Sequence, residues 1–180
     1  KQESYNKSIP ASERTEIILG DCIATPPAYD QPDMLETIPS LLCQKYGRGN
    51  GTVLDDLYAF GGTLLCMSIG YNPVEQLSKD ELIDLKLQKG SYASLIGTEK
   101  VNLSMIELLR GLLNDDANQR WSITAVQQWI DGRRLTPMQF KSQTTSQRPF
   151  NFDGDEYFNY QTLAVAFMRK WNLAAEVIRS

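Results

Sequence analysis

Between Thr52 and Gly70 the chain reads Val-Leu-Asp-Asp-Leu-Tyr-Ala-Phe-Gly-Gly-Thr-Leu-Leu-Cys-Met-Ser-Ile, and this stretch constrains the fold more than any other. Leu57, Phe60, Leu64, Leu65, Met67 and Ile69 fall on nearly every side of a helical repeat, so the pattern predicts a helix over about 53–69 in the middle of a core. Gly61 and Gly62 inside it cost about 1 kcal/mol each relative to Ala, which the close approach of another segment would justify. Gly70 and then Asn72-Pro73 end the helix.

The elements around this helix are shorter. Residues 1–16 are polar and read as a flexible N-terminal segment, because they cannot bury enough apolar area to offset the cost of ordering. Ile17 to Leu19 suits a buried strand bounded by Gly20, after which Pro26, Pro27 and Pro32 hold the chain extended or turning. A short helix is expected within 34–42, limited by Pro39 to a turn or two, and Gly47 to Gly51 forms a loop. Ser78-Lys79-Asp80-Glu81 and Ser104-Met105-Ile106-Glu107 both match the capping box, in which hydroxyl and carboxylate satisfy the first free amides of a helix. The first of these helices presents Leu82, Leu85 and Leu87 and ends by Gly90; the second presents Ile106, Leu109, Leu112 and Leu113. Ser122 caps another, with Ile123, Val126, Trp129 and Ile130, ended by Asp131-Gly132. Residues 135–148 turn polar and read as a linker. In 149–180, two short strands meet at Asp153-Gly154 and precede one amphipathic helix from Tyr160 to Ile178. This appendage is too small to hold its own core, so it packs on the main body or on a partner.

Composition excludes several classes of function. Lys and Arg number 18 against 22 Asp and Glu, which provides no electrostatic footprint for nucleic acid or an anionic membrane surface. No histidine is present, so imidazole bases and histidine metal sites are excluded. Cys22, Cys43 and Cys66 are odd in number and widely spaced, as expected of a reduced, cytoplasmic chain, and no apolar run approaches the roughly 20 residues that span a bilayer. Trp121, Trp129 and Trp171 are expected to serve as packing residues.

Asp56-Leu57-Tyr58-Ala59-Phe60-Gly61 resembles the signature of the central helix in the large lobe of protein kinases. In register with it, Pro27-Ala28-Tyr29-Asp30-Gln31-Pro32-Asp33 resembles the run that closes a kinase activation segment, and Arg120-Trp121-Ser122 the start of the last helix of that lobe. Ile17-Ile18-Leu19-Gly20-Asp21-Cys22-Ile23 is similar to the strand entering the Asp-Phe-Gly motif. Four motifs in the right order are more specific than any one alone. Together they mark a resemblance to the bacterial serine/threonine protein-kinase-like family over about 17–134. The resemblance implies a mainly α fold: a partial, helical kinase large lobe with an activation-segment remnant at 20–33, followed by the C-terminal β-hairpin and amphipathic helix.

What the resemblance implies for individual residues is structural rather than catalytic. Asp21 stands at the magnesium-binding aspartate, but Cys22 and Ile23 replace its Phe and Gly; it is either a Mg ligand in a longer parent or a turn residue at a strand end. Asp33 matches the glutamate that pairs with the arginine matched by Arg120. Asp56 either accepts backbone amides of a catalytic loop or caps its own helix. No Gly-rich phosphate loop, strand lysine or His-Arg-Asp loop occurs, so this chain alone is expected to bind no cofactor, ATP and Mg belonging to a parent protein. The expected function is a pseudokinase large lobe acting as a scaffold or protein-interaction module. The alternatives are a fragment of an active ATP- and Mg-dependent serine/threonine kinase completed upstream, and a helical adaptor unrelated to kinases, in which Asp33 and Arg120 would lie far apart. The expected partner is a protein or an upstream kinase segment. The all-round apolar character of the central helix further predicts a cover for its outer face: the tail helix, a second copy, or a segment outside this chain.

Overall fold

The computed structural model describes residues 31–135 and 146–179. Asp21, the 17–23 motif, the proposed flexible segment 1–16 and most of the linker lie outside the described residues. The described part is mainly helical, with one small antiparallel sheet.

A single 3-10 turn, Asp33–Leu35, leads into α1 (Ile38–Leu42), where Pro39 occupies the first turn and so loses no intrahelical bond. After a second short turn at Lys45–Gly47 comes α2 (Val53–Ile69), the expected central helix at its expected bounds. Its start is a capping box: Thr52 Oγ1 accepts from Asp55 N, and Thr52 N donates to Asp55 Oδ2 at 2.9 Å. Gly70, with φ +87°, takes the left-handed position that ends it. Helix α3 (Lys79–Lys89) begins with the box predicted at Ser78 and Glu81 and ends at Gly90.

Three elements depart from the expected pattern. Residues Ser91–Ile96 form a further helix, α4, which no periodicity revealed because it has fewer than two turns. Helix α5 (Leu103–Leu112) starts two residues earlier than a Ser104 cap implied, since the Asn102 side chain accepts from Ser104 N; Glu107 accepts instead from Leu135 N at 2.7 Å. Helix α6 (Ile123–Ile130) carries its Ser122 cap as expected. In the tail, β1 (Phe150–Phe152) and β2 (Asp155–Tyr157) pair as a hairpin through Asp153 and Gly154, both at positive φ as a two-residue mirror-image turn requires. The single tail helix is broken at Lys170, whose ψ of 49° leaves the helical region, into α7 (Tyr160–Arg169) and α8 (Trp171–Arg179).

The main core gathers Met34, Tyr58, Leu65, Val74, Leu82, Leu95, Leu109 and Leu113 from the first turn and from α2 to α5. The two interior glycines have the role the sequence suggested. A Cβ on Gly61 would lie 2.8 Å from Leu112 Cβ, and one on Gly62 2.6 Å from Leu35 Cδ2. Gly111 sits under the Trp121 indole at still closer range. Trp121 is buried and Trp129 packs beside it, whereas Trp171 is 62% exposed and departs from the packing role expected of it.

The tail docks on its own chain. Val165 of α7 enters a second core with Ile38, Leu41, Ile83 and Leu87 of α1 and α3, while Phe167 packs edge-on to Phe152 at 4.6 Å. Arg169 reaches Asp84 at 3.2 Å across the same seam, an exposed pair contributing no more than about 1 kcal/mol. The tail therefore covers α1 and α3 and leaves the outer face of α2 bare. That removes the tail helix from the three covers expected for it. Phe60 remains 45% and Met67 71% exposed, with Val53 beside them, while Leu64 is half-buried.

Candidate interaction site

At the amino end of α2 stand Asp55 and Asp56, close to the buried Arg120 and to the pair of Glu36 and Arg48. Asp55, in the third position of the helix, completes the capping box and stands 3.7 Å from Arg120. Arg120 is buried, and its guanidinium donates to Leu54 O and to Asn114 O, both at 2.9 Å. It thus ties the loop after α5 to the first turn of α2. The expected pair with Asp33 is not formed: among the described residues no ion pair joins them, and Arg120 lies beside Asp55 instead. The Asp33 carboxylate acts instead on Lys86, raising that lysine's affinity for its proton.

Asp56 does not cap its helix, a role filled by Thr52 and Asp55. Its side chain is exposed, with no hydrogen bond or ion pair among the described residues, at the rim of a cavity of about 220 Å³. As an anion in the first turns of α2 it still interacts favourably with the helix dipole. The cavity is walled by the 35–37 segment, Ser40, Cys43 and the Gly47 to Gly51 loop. Within its wall lies an ion pair that sequence reasoning missed: Arg48 with Glu36, both side chains almost wholly buried, with Ser40 Oγ donating to the other Glu36 oxygen at 2.9 Å. Nothing in the local pattern around Arg48 distinguishes it from a loop arginine, so only the fold reveals the pair.

Beneath the rim, Tyr58 is enclosed by charge. Lys86 Nζ and Arg120 Cζ lie 5.3 and 5.1 Å from the centre of its ring, an arrangement that favours both cations through the ring's negative face. Burial pushes the Tyr58 phenol well above its ordinary range, and burial lowers the Arg120 guanidinium. Asp115 accepts from Ser91 N at 2.8 Å, so a loop carboxylate supplies the cap that Gly90 cannot give to α4. Burial raises the Asp115 pKa, while Ser91, Lys86 and Arg120 oppose the rise. Tyr58 Oη, Ser91 Oγ and Asp115 Oδ1 are fully buried with no bond of ordinary length. Lys86, a further missed residue, did carry a signal: it lies one turn after Leu82 and Ile83, on the apolar stripe of α3.

Among the described residues no group of three or more Cys, Asp or Glu is arranged to hold a metal, and no helix is long and apolar enough to cross a membrane. Comparison with protein-family models, curated proteins and solved structures finds no match to the chain. The site is therefore defined by its own chemistry: a helix start held by Thr52, Asp55 and Arg120, a carboxylate at a cavity rim with no side-chain partner among the described residues, and an apolar stripe running away from it.

Proposed function

We propose that this chain is the helical lobe of a protein-kinase-like protein, of pseudokinase type, that works as a scaffold and docks a protein segment along the outer face of α2. The observation that carries the reading is that face itself. Val53, Phe60 and Met67 are exposed beside Asp56, whose carboxylate has no partner among the described residues and is of a type that accepts amides or a cation. The kinase-like part of the reading is supported by the position of Asp56 at the start of a central helix and by Gly61 meeting α5 at van der Waals limits. The upstream kinase-like segment of a parent protein is the occupant we favour, since an exposed apolar face on a central helix suits a neighbour from the same lobe.

A second reading, a helical adaptor unrelated to kinases, is favoured by one observation: Arg120 serves Asp55 and the α2 start rather than Asp33. The test is thermal unfolding of the protein as isolated from its source cells, with and without Mg-ATP. The pseudokinase reading and the adaptor reading expect no shift. Saturation at a hundredfold excess over the dissociation constant stabilises a binder by about 2.7 kcal/mol, so a clear rise lost in Asp21→Ala would replace both with an active kinase. The residues immediately preceding Lys1 in the gene product separate the first two: kinase small-lobe strands are expected for the pseudokinase, and their absence from the whole protein overturns it.

A further inference from the structure

The loop that walls the cavity beside α2 carries the chain's one Asn-Gly step, Asn50-Gly51. Asn50 is exposed and sits between Gly49 and Gly51, which both line the cavity and both have positive φ, +68° and +71°. Glycine after asparagine leaves the approach to the asparagine side chain unobstructed, and a glycine-rich loop samples the backbone angles that the approach needs. Other asparagine side chains are pinned. Asn72, Asn102, Asn114 and Asn159 each accept, through Oδ1, the backbone N–H two residues on, which holds the side chain against its own turn. Asn118 is also exposed, but the amide that follows it, Gln119 N, donates to Asp116 O at 3.0 Å. Among the described residues neither the Asn50 side chain nor the Gly51 N–H makes a hydrogen bond of ordinary length.

We propose that Asn50 is a modification site: it deamidates spontaneously through the Gly51 nitrogen, and the product adds a carboxylate to the mouth of the cavity. The Gly51 amide nitrogen, having lost its proton to base, attacks the Asn50 side-chain carbon Cγ. A five-membered succinimide forms, the bond from Cγ to the side-chain nitrogen breaks, and that nitrogen takes up a proton and leaves as ammonia. Water then opens the ring at either carbonyl, which gives an α-linked aspartate or an isoaspartate at position 50. Nothing is oxidised or reduced, and water is the co-reactant. Either product turns a neutral amide into an anion at a mouth that Asp55 and Asp56 already line, so the mouth favours a basic partner more strongly as the protein ages. The isoaspartate also lengthens the main chain by a methylene group just before Thr52, the N-cap of α2. The inference concerns the chemistry of the loop and holds whether or not the lobe is kinase-like.

The test is peptide mapping of the native chain after incubation in mildly alkaline buffer, with each asparagine resolved by fragmentation. Asn50 is expected to gain the mass difference between an amide and an acid at least about tenfold faster than Asn118. Aspartate and isoaspartate are both expected at position 50, the latter detected by methyl transfer from S-adenosylmethionine with an isoaspartyl methyltransferase. In mildly acidic buffer, where less of the Gly51 amide is deprotonated, conversion slows. Ion-exchange chromatography of the folded chain provides a second readout: a more acidic form accumulates in step with the conversion and is absent from Asn50→Gln, whose longer side chain closes a ring far more slowly. Conversion of Asn50 no faster than that of Asn118, aspartate formed without isoaspartate, or an acidic form that persists in Asn50→Gln overturns the proposal.

Discussion

On one side of α2, Tyr58, Gly61, Gly62 and Leu65 are sealed under α3, α5 and the Asp33–Leu35 turn, whereas on the other Val53, Phe60 and Met67 face solvent from the same helix. Both sides are apolar, so hydrophobicity does not distinguish them. What does is what lies against each side: glycine at 61 and 62 lets α5 and the Asp33–Leu35 turn reach the backbone, whereas Phe60 and Met67 stay exposed. An all-round apolar helix can therefore have one face committed to its own core and another left for association.

The largest test of this contrast is a pair of truncations. Leu65→Ala removes a fully buried side chain and is expected to lower the unfolding free energy by about 2–5 kcal/mol in a denaturant titration, while Met67→Ala changes it by no more than about 0.5 kcal/mol. Equal costs would mean that the outer face is packed in solution.

Stability against pH sharpens the same contrast through the charges behind Tyr58. The folded Lys86 pKa lies below the unfolded value of 10.5, at about 8, so between these values the unfolded chain holds a proton that the folded chain has released. Stability is expected to climb across that window, by no more than about 3 kcal/mol, and the climb is expected to be absent in Lys86→Met. Tyr58 works in the opposite sense. Its phenol is raised above the ordinary 10.0, so above that pH the unfolded tyrosine ionises first and stability is lost. A flat profile from pH 8 to 10 in the native chain would show that Lys86 is hydrated.

Smaller effects follow from the backbone. Gly61→Ala places a methyl group 2.8 Å from Leu112 Cβ, and the resulting strain outweighs the gain in helix propensity by about 1–2 kcal/mol; Thr63→Ala, on the exposed side, is expected to be neutral or slightly stabilising. Smallest of all is the difference between the two adjacent aspartates. Asp55→Ala removes the capping partner of Thr52 and costs about 1 kcal/mol, whereas Asp56→Ala loses only a helix-dipole interaction of about 0.3 kcal/mol. Reversed costs in thermal melts would place the cap at Asp56.

How far the sequence foretold this depends on the range over which each choice is made. The α2 bounds, the Ser78 and Ser122 caps, the hairpin turn and the glycine contacts were legible because each is decided within a few residues or by backbone geometry alone. Helix α4 was not legible, since Gly90 gives no capping side chain and the cap comes from Asp115 in the loop after α5. The break at Lys170 was hidden because the apolar spacing runs across it without interruption. Partner choice was the least legible. Arg120 could be paired with Asp33 only through a resemblance, and the fold gives it to Asp55 and to backbone carbonyls instead. The Glu36 and Arg48 pair and the burial of Lys86 are likewise products of tertiary packing.

The central claim, that the outer face of α2 is a docking surface, is tested most directly by oxidative footprinting of Met67, with Met34, 3% exposed, as internal control. In the isolated chain Met67 is expected to oxidise at least about tenfold faster than Met34. In the protein isolated from its source cells its rate is expected to fall towards that of Met34, because a docked segment excludes the oxidant. Met67 oxidising equally fast in both preparations would contradict the claim.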